Sequence, residues 1–202
     1  MVDALRPTVP QLERNGVTLR MLTPKDEAEW LSLRQRNRDW LRPWEATTPP
    51  GQVEPPITFR AFVRRERASW RERRSFPFVI EYGGELVGRA SLGRIEWGAE
   101  RGGTLGYWVS HHVAGRGIAP TAVVLLTEYA FGQGLHRVEI AIRPENDASL
   151  AVVRKLNVRE EGMRHSYLYI DGAWRDHRIF AVTTEEHRIG EWWTGVPDTV
   201  RD

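Results

Sequence analysis

Cysteine is absent from this 202-residue chain. Disulfides, a thiolate nucleophile and Cys-ligated metal are therefore excluded, and the composition fits a reducing compartment. Lysine is scarce as well: Lys25 and Lys155 stand alone among a majority of arginines. Arginine presents a planar fork suited to phosphate and carboxylate, although GC-rich coding produces the same bias without any function. No apolar run reaches the roughly 18 residues that a bilayer span needs, and Met1–Pro10 lacks the apolar stretch of a secretion signal. The expectation is a cytoplasmic protein with no membrane partner. Six histidines show no metal-ligand spacing, so no metal is expected.

What is present suffices for a core. Hydrophobic residues make up 41% of the chain and the net charge is only +2, which excludes a disordered tail. The length suggests a single domain over 1–202, with 1–14 as an N-terminal extension and 185–202 as a peripheral C-terminal segment that holds Trp192 and Trp193. Nine tryptophans are many for this length, and some are expected to line a groove for an extended ligand. There is no internal repeat.

Periodicity and turn residues sketch the elements. Val17–Met21 reads as a strand after the Asn15-Gly16 turn, and Pro24 opens a helix to about Asn37. Ile57–Arg74 reads as a helix with Phe59, Phe62, Val63 and Trp70 on one side. Arg60, Arg64, Arg67, Arg71 and Arg74 recur at steps of four and three, which makes one stripe along it; the stripe is either a solvated face or a docking face for RNA or an acidic protein. Strands follow at Phe76–Tyr82, Glu85–Glu96, Thr104–Ser110 and Arg137–Arg143. Helices fall at Thr121–Phe131 and Asp147–Leu156, and Met163–Ile170 with Trp174–Val182 forms a hairpin at Asp171-Gly172. Helices between strands imply a mixed α/β (α+β) fold.

Residues 106–119, Gly-Tyr-Trp-Val-Ser-His-His-Val-Ala-Gly-Arg-Gly-Ile-Ala, carry the main chemical signal. A strand ends, a glycine turn follows, and a helix starts near Pro120. Gly115 and Gly117 leave the backbone open to close approach, and the unpaired N–H groups of a helix start favour a phosphate. A P-loop would need Gly-Lys-Ser/Thr, which is missing. A dinucleotide turn would want a third glycine where Pro120 stands, although Glu139 lies at a suitable distance for its acidic residue.

Ala114–Ala119 resembles the pyrophosphate loop of the GNAT acetyltransferases, usually Arg/Gln-x-x-Gly-x-Gly/Ala, with Ala114 in the first place. Asn146-Asp147-Ala148-Ser149 is similar to the Asn-x-x-Ser segment that opens a later helix in that family; Asn157-Val158 stands where Gly-Phe is usual. Asn146 read alone could equally be a helix N-cap. The stretch Asn37–Trp44 resembles the N-terminal signature of ribosomal-protein N-acetyltransferases, and Ile170–His177 resembles Ile-Asp-Gly-x-Trp-Arg-Asp-His of the RimJ type.

The resemblance implies a GNAT fold with a central, mostly antiparallel twisted sheet of about seven strands and about four flanking helices. It implies acetyl-CoA as cosubstrate, held by Trp108, Val109, Ala114, Gly115, Arg116, Gly117, Ile118, Ala119, Asn146, Ser149 and Arg154. It implies acetyl transfer to the N-terminal alanine or serine amine of a protein, with a small-subunit ribosomal protein as the candidate. A monomer or homodimer is expected, and the Arg60–Arg74 stripe is the candidate for ribosome contact. Two other readings are a GNAT enzyme for a small amine or antibiotic, and a non-catalytic acyl-CoA-binding module.

Such a transfer needs a neutral amine, donors for the oxyanion and a proton or dipole for the departing sulfur. An α-amine with pKa near 7.7–8.0 is about one-tenth neutral at pH 7, so it needs only a weak base or a water relay. The family's usual base positions hold Thr104 and Leu168, which makes Glu96 the first substitute, ahead of Glu139, Asp176 or His177. The Val109 N–H is the implied oxyanion donor. Ser149 is the positional match for the thiolate partner, with Tyr167 as alternative. Trp40, Arg42, Pro43 and Trp44 are expected to meet the acceptor together with Tyr167, Trp174 and Arg175. Without cysteine, direct attack in a ternary complex is expected.

Overall fold

The computed structural model describes residues 9–51 and 55–187. Their order is β1 (Leu12–Arg14), β2 (Val17–Arg20), α1 (Glu27–Arg36), α2 (Arg38–Leu41), α3 (Phe59–Arg71), β3 (Phe76–Tyr82), β4 (Glu85–Glu96) and β5 (Gly102–Val109). Then come α4 (Ile118–Gly132), β6 (Arg137–Ile142), α5 (Asp147–Lys155), β7 (Arg159–Ile170) and β8 (Ala173–Thr183). The strands form an open sheet of eight in the order β1-β2-β3-β4-β5-β6-β8-β7. Every neighbouring pair is antiparallel except β5 with β6. The mixed architecture is the expected one.

Two elements were not anticipated. Leu12–Arg14, inside the stretch expected to be an extension, is an edge strand paired with β2. The chain from Asn37 onward makes the separate short helix α2, because Asn37 leaves helical geometry at φ −104° and ψ 12°. The C-terminal segment is described only to His187, so Trp192 and Trp193 lie outside the described residues.

The two faces of the sheet are covered differently. Helix α4 is buried nearly all round, from Ile118 through Leu126, which is why its sequence shows no polar face. It packs with Leu19, Phe78, Leu92, Leu105, Val138 and Ile140 in the larger core. The opposite face carries α1 and α3, whose Trp30, Leu33, Phe59 and Val63 pack on Val79 and Leu86. Burying each such side chain contributes about 1.5–3 kcal/mol. Helix α5 ends at Asn157, which takes φ +51° while the Val158 N–H returns to Val153 O at 2.9 Å. Asparagine is the common substitute for glycine at such a left-handed helix end.

The feature that positions the site is a divergence. β5 and β6 pair only at Gly102–Thr104 with Arg137–Glu139. Beyond Thr104 the two strands separate, and the rest of β5 has neighbours on the β4 side alone.

Candidate active site

A cavity of about 560 Å³ opens where β5 leaves β6. Tyr107 and Val109 of β5 form one wall, and Gly115, Gly117 and Ile118 form the end nearest α4. Asn146, Ser149, Val152 and Lys155 come from α5 and its entry, and Trp40, Leu41 and Trp44 close the remaining side.

The end at α4 is built for an anion. Gly115 has φ +84° and Gly117 has φ +79°, conformations in which a side chain is strained. No atom lies within 4 Å of where a Cβ would stand on either, so the space beside the turn is open to a ligand. The turn's internal hydrogen bonds stop at Ala114 N–H to His111 O and resume at Thr121 N–H to Gly117 O. No side chain caps α4. The amides from Gly115 to Ala119 therefore meet no acceptor among the described residues, and they lie at the positive end of the α4 dipole, which favours an anion there.

Along β5 the backbone alternates. The Ser110 N–H bonds Val87 O on the β4 side at 2.6 Å, so the Val109 N–H turns the other way, toward the gap left by β6. The Val109 carbonyl is taken by Trp40 Nε1 at 3.1 Å, and the Trp40 ring lies 4.6 Å from that of His111. Beneath them Asn37, 2% exposed, donates from Nδ2 to Leu33 O and Ser110 Oγ and accepts the His111 N–H on Oδ1. The α1–α2 junction thus clamps the end of β5 just before the glycine turn.

Across the gap, Asn146 caps α5: its Oδ1 accepts the Ser149 N–H at 3.1 Å. The capping reading of Asn146 holds, and the residue also lines the cavity. Ser149 is in the cavity wall on the first turn of α5. Tyr107, which sequence reasoning did not single out, reaches toward it, with its hydroxyl 3.4 Å from Ser149 O. Burial pushes the Tyr107 phenol well above the ordinary tyrosine range, so it stays protonated. The signal for it was parity: Tyr107 shares a face with Leu105 and Val109.

Other expected residues are placed as follows. Val109, Ala114, Gly115, Gly117, Ile118 and Ala119 line the cavity, as do Trp40 and Trp44. Trp108 borders it, but its ring lies on the opposite face of the sheet, 5.9 Å from Trp30. Arg116 and Arg154 are exposed and outside the lining, whereas Lys155, the neighbour of Arg154, is part of it. Arg42 pairs with Asp171 at 3.7 Å, Trp174 is 56% exposed and packs edge-on against Tyr169, and Arg175 donates to Ile170 O at 3.3 Å.

Two expectations about catalysis are corrected by position. Glu96 is exposed and pairs with Gly102, seven residues before Val109 along β5. At about 3.3 Å per residue this is on the order of 20 Å from the Val109 amide, too far to take a proton there. Tyr167 does not line the cavity; its hydroxyl is bonded by Arg94 and Arg164. His177 is buried, with Nδ1 3.0 Å from Arg175 O, and burial holds its pKa below the usual 6.5. The carboxylates that do line the cavity are Glu145 and Asp147. Among the described residues no group of His, Asp and Glu could hold a metal.

A sheet split between parallel neighbours, with an open glycine turn and an uncapped helix start at the mouth, defines a protein suited to a ligand that carries phosphate at one end. The acetyltransferase (GNAT) domain family matches residues 17–159, and the chain belongs to that family. It is an acetyl-CoA-dependent N-acetyltransferase by this membership, and the open cradle of Gly115–Ala119 suits the pyrophosphate of that cosubstrate. The chain is 30% identical over 178 residues to the probable N-acetyltransferase YjcK of Bacillus subtilis, covering 85% of this chain and 96% of that protein. It is 26% identical to the [ribosomal protein uS5]-alanine N-acetyltransferase of Escherichia coli, over 92% and 97% of the two chains. The structure of Mycobacterium smegmatis RimJ in complex with CoA-disulfide matches at a TM-score of 0.77, with 37% identity and 88% of each chain covered.

Proposed function

We propose that the acceptor is a protein N-terminus, of the kind that begins with alanine or serine, and that a small-subunit ribosomal protein is its source. The observation that carries this reading is the continuity of one cavity from the uncapped glycine turn to the wall of Trp40 and Trp44. Aromatic walls suit an extended peptide, and an Escherichia coli relative of this chain is named for an alanine of ribosomal protein uS5. The cosubstrate supplies an acetyl thioester.

In this reading the chain's own groups divide the work. Amides from Gly115 to Ala119 hold the pyrophosphate, with Lys155 adding a cation at the α5 side. The Asn146 side chain and the backbone edge of β5 align the pantetheine arm. The Val109 N–H stabilises the oxyanion as the amine attacks, and such a donor lowers the barrier by about 2.7–4 kcal/mol. Ser149, with the protonated Tyr107 hydroxyl beside it, donates to the departing sulfur. The α-amine is near enough to neutral at pH 7 that a water chain suffices to take its proton.

The chain works as a single domain in the cytoplasm. Among the described residues no helix is long and apolar enough to cross a membrane. Ribosome contact falls to a shortened stripe on α3. Arg60, Arg64 and Arg71 are exposed and make no ion pair with a described residue, Arg74 pairs with Glu72, and Arg67 turns inward to Leu22 O. The deciding experiment incubates the protein with acetyl-CoA and a panel of N-terminal peptides and small amines, and locates the acetyl group by mass spectrometry. Acetylation of the α-amine of Ala- or Ser-initiated peptides is expected; turnover of small amines without any peptide product refutes the reading.

A further inference from the structure

On the sheet face opposite α4, a ring of side chains closes over the point where β5 and β6 part. Thr104 of β5 is in register with Gly93 of β4 on one side and with Glu139 of β6 on the other. Glu139 faces away from α4, since its neighbours Val138 and Ile140 are in the α4 core. Arg164 of β7 meets Glu139 at 2.7 Å, and Arg164 Nη1 also donates to the Tyr167 hydroxyl at 3.1 Å. Arg94 of β4 completes the ring by donating to the same hydroxyl at 2.6 Å.

This closure is not a consequence of ordinary pairing. β4 and β7 are four places apart in the sheet, on the order of 19 Å if it were flat. Two irregularities bring them together. The β4–β5 register shifts between Gly93 and Glu96, with Arg94 at φ +51°. The β7–β8 register shifts between Arg164 and Leu168, with Ser166 at φ +46°. The second bulge is held by Asp176, which accepts the Ser166 N–H and pairs with His165, both at 2.8 Å.

The result is two guanidinium groups on one phenol oxygen. Glu139 occupies Arg164 from one side and is shared with Arg137, which also pairs with Glu161. Arg94 makes no ion pair with a described residue; it meets Tyr167, by hydroxyl and by ring. A phenol oxygen has two lone pairs and one hydrogen. Both lone pairs are used by arginines here, so the hydrogen is left to donate outward. Two cations gathered without a matching second anion, with an O–H beside them, form a receptor for a carboxylate.

We propose that Arg94, Arg164 and the Tyr167 hydroxyl bind an acidic side chain of the acceptor peptide a few residues in from its N-terminus. The inference rests on the peptide-acceptor reading above and adds its sequence preference. The ring stands at the level of Thr104, and exposed Gly106 leaves the face open between it and the wider part of the gap. The distance from Thr104 to Val109 along β5 is five residues, which an extended peptide crosses in about five of its own.

The test uses Ala-initiated peptides that carry one Glu at each of positions two to six in turn, paired with Gln versions, and reads kcat/KM with acetyl-CoA. At one position the Glu peptide is expected to be favoured about tenfold, and the preference is expected to shrink with added salt. In Arg94→Gln the ratio falls toward one, and in Arg94→Lys it falls partway; retention of the coenzyme A-induced rise in Tm shows that each variant is folded. A wild-type ratio near one at every position overturns the subsite and leaves the N-terminal acceptor standing. An unchanged tenfold ratio in Arg94→Gln overturns it as well. Absence of turnover on every peptide overturns the acceptor reading and the subsite with it.

Discussion

Replacing Asn37 with alanine tests how the acceptor side and the coenzyme side are coupled. The side chain is 2% exposed and bonds Leu33 O at 2.9 Å, Ser110 Oγ at 2.8 Å and the His111 N–H at 3.0 Å. Each bond has a net worth of about 1 kcal/mol, and a buried group left without a partner costs about 1–3 kcal/mol more. The worked loss is about 3 kcal/mol, allowing water to reach part of the site. For a domain of this size that lowers Tm by about 6–12 °C. Stability is only half of the prediction. His111 starts the turn that leads to Gly115, and Val109 precedes it, so loosening the clamp misplaces the oxyanion donor relative to the phosphate cradle. A fall in kcat of about tenfold or more is expected, because small displacements of a positioned group are expensive. Thermal melts with and without coenzyme A, alongside steady-state kinetics with acetyl-CoA, measure both parts. A Tm within about 2 °C of the parent with unchanged kcat would refute the clamp.

Two further outcomes follow from local geometry. Gly117→Ala places a side chain at φ +79° with no atom within 4 Å of the new Cβ, so its cost is backbone strain of about 1–2 kcal/mol rather than a clash. The KM for acetyl-CoA should rise, whereas Gly83→Ala, at φ +61° in a hairpin turn with equally open space, should lose similar stability and leave that KM alone; a parallel rise in both variants would contradict the cradle. For pH dependence, burial holds the His177 pKa below 6.5. The unfolded chain therefore takes up a proton before the folded one as pH falls through about 6.5, and stability declines there. His187, shifted the same way by burial, adds to the decline. His177→Gln should flatten the dependence of Tm on pH between about 5 and 7; an unchanged slope would show that His177 does not titrate differently on folding.

Much of the fold was legible because the decisive signals are local. Gly83-Gly84 and Asp171-Gly172 sit at hairpin turns with positive φ, which other residues adopt only under strain, so the strands on each side could be read from their ends. Asn157 at φ +51° ends α5 for the same reason. The glycine turn before α4 was legible in kind, since free amides at a helix start follow from chain chemistry. Less legible was β1, whose three residues carry too little pattern to separate them from a tail.

The site's membership was a different matter. Arg154 and Lys155 are adjacent in sequence, and only the rotation of α5 against the gap puts Lys155 in the cavity wall. Glu96 had the right chemistry for a base, but the antiparallel register sets it beside Gly102, at the wrong end of β5. Tyr167 looked like a residue of the reaction centre until two bulges carried it over the sheet to Arg94. Sequence alone determined that a glycine turn runs into an open helix start at 115–119, because backbone conformation there depends on glycine and on the helix start. Tertiary structure decided which side chains face the cradle and which face each other, because register shifts and helix rotation act between segments far apart in the chain and leave no periodic trace within either.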